Sequence, residues 1–203
     1  MENDYDFKIA SVNEDLRLCV IENSIFIEEL ASRVLGNILD IDWKNSKSFG
    51  HGSTSLSFFQ KLQLIQDIKG IDKEDLKKLT CLANIRNKFA HVSAINSFEK
   101  LFSDSGVGKE IQKSFLSWYF DKDGYVGIHP TKIEFVNRLC FYLLTSDVIN
   151  ILLKISDTHL YNMGVHDGKR EVQEQLLTFC MSILSDEQRK EVIVAIENRF
   201  EKA

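Results

Sequence analysis

Asp72-Lys73-Glu74-Asp75-Leu76-Lys77-Lys78-Leu79-Thr80-Cys81-Leu82-Ala83-Asn84-Ile85-Arg86-Asn87-Lys88-Phe89-Ala90-His91 is the stretch whose reading decides the fold class. Leu76, Leu79, Leu82, Ala83 and Phe89 recur at the spacing of one helical face. Asp72 stands where a side-chain oxygen accepts the orphan amides of a first turn, so a helix is predicted from Lys73 to about Ala90.

The same signals recur upstream. Ser11-Val12-Asn13-Glu14 reads as a capping box opening a long helix to about Asp40, with Ile21, Ile25, Val34, Leu35, Ile38 and Leu39 as its apolar stripe. Trp43 and Phe49 then fall in a polar loop with Ser46, Ser48, Gly50, His51 and Gly52. A second helix is predicted from about Ser55 to Lys69, carrying Phe58, Phe59, Leu62, Leu64, Ile65 and Ile68 and closed by Gly70 in a left-handed cap.

Downstream, a short helix around Ile95 to Phe102 leads into a Ser/Gly-rich stretch, Ser103 to Gly108, read as flexible. Residues 109–120 are expected to be helical, and Asp121 to Pro130 to be a turn-rich connection containing Gly124 and Gly127 with a weak signal for a strand pair. Thr131-Lys132-Ile133-Glu134 is a second capping box, opening a long helix to about Asp157 with Val136, Leu139, Cys140, Leu143, Leu144, Ile151 and Leu152 apolar. Further helices are predicted from Asp167 to Leu184 and, after Ser185-Asp186-Glu187-Gln188, to about Phe200. Pro130 is the only proline, as expected where helix interiors dominate. The chain therefore reads as all-α: a helical core over 1–105 and a C-terminal helical extension over 106–203 packed on it.

Composition narrows the function classes. With 44% apolar residues among 203, the chain can bury a core without disulfides. The net charge is −5, and the first 30 residues set Glu2, Asp4, Asp6, Glu14, Asp15, Glu22, Glu28 and Glu29 against Lys8 and Arg17, which excludes a basic DNA-reaching arm. Cys19, Cys81, Cys140 and Cys180 form no C-x-x-C pair and lie in apolar helical patterns, so four buried reduced thiols are expected. The start, Met1-Glu2-Asn3-Asp4-Tyr5-Asp6, lacks the features of a signal peptide, and no uncharged apolar run approaches a bilayer's thickness, so the expected compartment is the cytoplasm. No cofactor motif appears. His159 and His166 are seven apart, but Gly164 and Gly168 between and beside them point to a loop, and no metal site is assigned.

Arg86, Asn87 and His91 carry the residue types that handle a phosphate without a metal. An arginine fork holds two phosphate oxygens, and a histidine exchanges protons near neutral pH. Asn87 and His91 are four apart and share a face, so the amide is placed to orient the ring. On a continuous helix Arg86 and His91 point about 140° apart, so they converge only if the helix ends near Ala90 or if two subunits build one site. The structural alternative is that Arg86, Asn87 and His91 fix a helix end.

Two resemblances bear on this segment. Arg86-Asn87-Lys88-Phe89-Ala90-His91 resembles the Arg-x(4–6)-His motif of HEPN domains, helical bundles that are often dimers and include metal-independent endoribonucleases. That resemblance implies Arg86 and His91 as a catalytic pair with Asn87 in support. HEPN toxins frequently have Tyr two residues after the His, where this chain has Ser93. A longer resemblance, over about residues 14–103, is to the mannitol operon repressor (MtlR) family. It rests on Phe49-Gly50, Ser55-Leu56-Ser57-Phe58-Phe59-Gln60-Lys61-Leu62 and Ile85-Arg86-Asn87-Lys88-Phe89-Ala90-His91. It implies a helical regulator without a DNA-reading module, acting as a homodimer on an unidentified protein partner. The nuclease alternative implies RNA as the partner. Neither implies a membrane or direct duplex DNA binding.

Overall fold

The computed structural model describes residues 15–50, 52–68, 71–120, 128–183, 185, 187 and 190. The helices are α1 (Leu16–Leu39), α2 (Phe58–Gln66), α3 (Lys73–His91), α4 (Phe98–Asp104), α5 (Gly106–Tyr119) and α6 (Ile133–Ile183), the last preceded by a 3-10 turn at Pro130–Lys132. No strand occurs among the described residues, so the all-α reading holds. They fall into two compact units, one ending at Ser156 and one beginning at Asp157.

In the first unit α1 packs on α2 and α3, α3 on α2 and α5, and α4 on α5. Side-chain oxygens satisfy the orphan amides that open these helices. Asp15 accepts from Arg17 N, Ser57 and Gln60 form a capping box, and Asp72 accepts from Glu74 N and Asp75 N. Phe98, fully buried, is the centre of an aromatic cluster, with the Phe89, Phe102, Phe115 and Phe141 rings 5.7–6.0 Å away. Those rings come from α3, α4, α5 and α6, so one side chain draws four helices onto a common core.

Glu134, Arg138 and Asp147 of α6 are half-buried in this unit, while Lys154 is exposed. Glu134 accepts the amides of Phe98 and Glu99 and lies 3.9 Å from Arg138. Asp147 accepts from Lys78 Nζ and Tyr119 OH, each at 2.8 Å. Lys78 also stands over the Trp118 ring, whose Nε1 donates to Glu74. α6 is thus tied to α3 and α5 by polar bonds as well as by its apolar face.

Several expectations need correction. Ser103–Gly108 is helical rather than flexible: Ser105 alone separates α4 from α5. Gly108 makes this compact, because a Cβ there would lie 1.9 Å from the Leu101 carbonyl oxygen. The helix expected to end at Asp157 and the one expected from Asp167 are a single helix, α6. Gly164 and Gly168 sit inside it in open space, and His159 and His166 are therefore helical rather than in a loop. A mid-helix glycine costs about 1 kcal/mol, too little to break a helix this long. Glu134, expected to serve the start of its own helix, also caps α4. Ile25, Leu39, Phe59, Leu64, Leu139 and Leu143, expected among the apolar stripes, are exposed.

The box expected at Ser11–Glu14, the Gly70 cap, His51, the connection at 121–127 and the last helix to Phe200 lie outside the described residues, apart from isolated positions in that helix. Cys19, Cys81 and Cys140 are buried thiols outside any disulfide, as expected.

The second unit contains the rest of α6, from Asp157 to Ile183. Its Arg170 lies 3.9 Å from Asp167 and 3.8 Å from Glu174, and Leu160, Val172, Leu176 and Phe179 are exposed. By length and composition alone, Ile133–Phe179 is apolar enough to cross a membrane, and half of its most apolar window is buried within the protein.

Candidate functional site

α3 continues through His91, and Val92 is its extended C-cap. The helix does not end early enough to swing His91 toward Arg86. On this unbroken helix the two side chains leave the axis about 140° apart, separated by about 7.5 Å of rise. One chain alone does not bring them together.

Their surroundings differ. Arg86 is half-buried. Its guanidinium lies 6.0 Å from the centre of the Phe58 ring of α2, and its NH1 donates to Asn87 Oδ1 at 3.2 Å. It makes no ion pair among the described residues. His91 is exposed, in the last turn of α3. Asn87 is bonded to Arg86, and no hydrogen bond joins it to His91 among the described residues. Lys88 pairs with Asp104 of α4 at 2.8 Å, while Phe89 is fully buried against Phe98.

The backbone just after His91 is held by Arg17. One guanidinium nitrogen of Arg17 donates to the carbonyls of Val92, Ser93 and Ile95 at 2.7, 2.9 and 2.7 Å. Sequence reading missed this clamp: an isolated basic residue in an acidic segment carries no signal for a partner 75 residues away. It also missed Lys61, which is only 3% exposed and pairs with Glu28 at 2.9 Å. Here a signal existed, since Lys61 interrupts the buried stripe Phe58, Leu62, Ile65 of α2. A charge in such a stripe needs a partner.

Trp43 and Trp118 are both half-buried against the core. Lys44 lies over the Trp43 ring and Lys78 over Trp118. Burial pushes the Cys81 and Cys140 thiols up to about 12, so neither is a nucleophile near neutral pH.

Compared with family models, with curated proteins and with solved structures, the chain matches none of them. The geometry of α3 therefore carries the functional argument.

Proposed function

We propose that this chain is a cytoplasmic regulatory or interaction protein of the MtlR type, acting through protein contacts and with no DNA-reading motif of its own. The observation that supports this reading is the use of Arg86 within the chain. Its guanidinium lies over the Phe58 ring and is bonded to Asn87, while His91 points elsewhere on the same unbroken helix. In this reading Arg86 and Asn87 join α3 to α2, and the turn after His91 is set by Arg17.

A second reading is a HEPN-type metal-independent endoribonuclease whose site is shared by two copies. It is favoured by the exposure of His91 and by the absence of a carboxylate on Arg86 among the described residues, which leaves that charge for a phosphate.

The test is cleavage of labelled single-stranded and transfer RNA in EDTA by wild type, Arg86→Ala and His91→Ala, with folding followed by circular dichroism. The regulatory reading expects no cleavage by any of the three. Cleavage by wild type that disappears in both folded variants would replace it with the nuclease.

A further inference from the structure

We draw no further inference here: the strongest candidate, the apolar surface patch that Phe135, Leu139, Leu143 and Leu153 expose along α6, carries nothing because nothing in the structure shows what covers it.

Discussion

The carboxylate of Glu134, at the start of α6, accepts the backbone amide of Phe98 with both oxygens at 3.1 Å. A residue 36 positions away thus caps the first turn of α4, alongside Ser97, and seats the phenylalanine at the centre of the aromatic cluster. Glu134→Ala is expected to cost about 1 kcal/mol through loss of that cap. Burial pushes the Glu134 carboxyl up, against the opposing pull of the Phe98 and Glu99 amides and of Arg138. With the folded value above the ordinary 4.5, the folded state holds the proton more tightly. This group's contribution is then present in full below 4.5 and is lost as pH rises through the raised value. Urea midpoints measured across that window should fall less steeply with rising pH in Glu134→Gln than in wild type. Parallel curves would contradict the assignment.

Asp147 is the acceptor for both Lys78 and Tyr119. Asp147→Ala leaves an ammonium and a phenol without their partner between α3, α5 and α6, and about 2 kcal/mol of stability should be lost. Removing the Tyr119 hydroxyl alone, as Tyr119→Phe, should cost less than half as much. Equal losses would mean that Lys78 contributes nothing to the site.

Arg17 shows how a half-buried charge can serve the fold. Arg17→Ala removes three charge-assisted bonds to the carbonyls of residues 92, 93 and 95, with an expected loss of about 1–3 kcal/mol. Amide exchange should quicken most in the last turn of α3 and in the segment to Phe98. Uniform quickening over the whole unit would argue that the clamp is not local.

Arg86 and His91 should separate in stability before any activity is measured. Arg86→Ala loses its cation–π contact with Phe58 and its bond to Asn87, which predicts about 1 kcal/mol. His91→Ala, at an exposed position, should stay within about 0.5 kcal/mol of wild type. If Arg86→Ala proves equally neutral, the guanidinium is not needed by the fold and the shared-site nuclease gains support.

Cys81 and Cys140 should resist thiol reagents in the native protein at neutral pH and react fully in denaturant. Their burial keeps the thiolate fraction negligible when both values stand at about 12. Labelling of either in the folded chain would show that the core opens there.

The candidate motif itself was legible, because Arg, Asn and His at a helix end are recognisable from residue type and spacing. What surrounds it was not. Phe58, Arg17 and Asp104 approach α3 from other helices or from the end of α4, and no local period announces them. The stripes were also over-read. Ile25, Leu139 and Leu143 share the residue type of core positions, yet only the packing of neighbours decides which side of a helix is covered.

The sequence by itself determined that the chain is helical and that α3 begins after Asp72. Those facts depend on apolar period, capping oxygens and the scarcity of proline, all short-range properties. Tertiary structure alone decided that Ser103–Gly108 packs as helix, with Gly108 against Leu101. It also decided that Glu134 caps a helix other than its own. Each of these is settled by the free energy of side chains meeting across the core. Such contacts join residues of different helices, where local pattern carries no information.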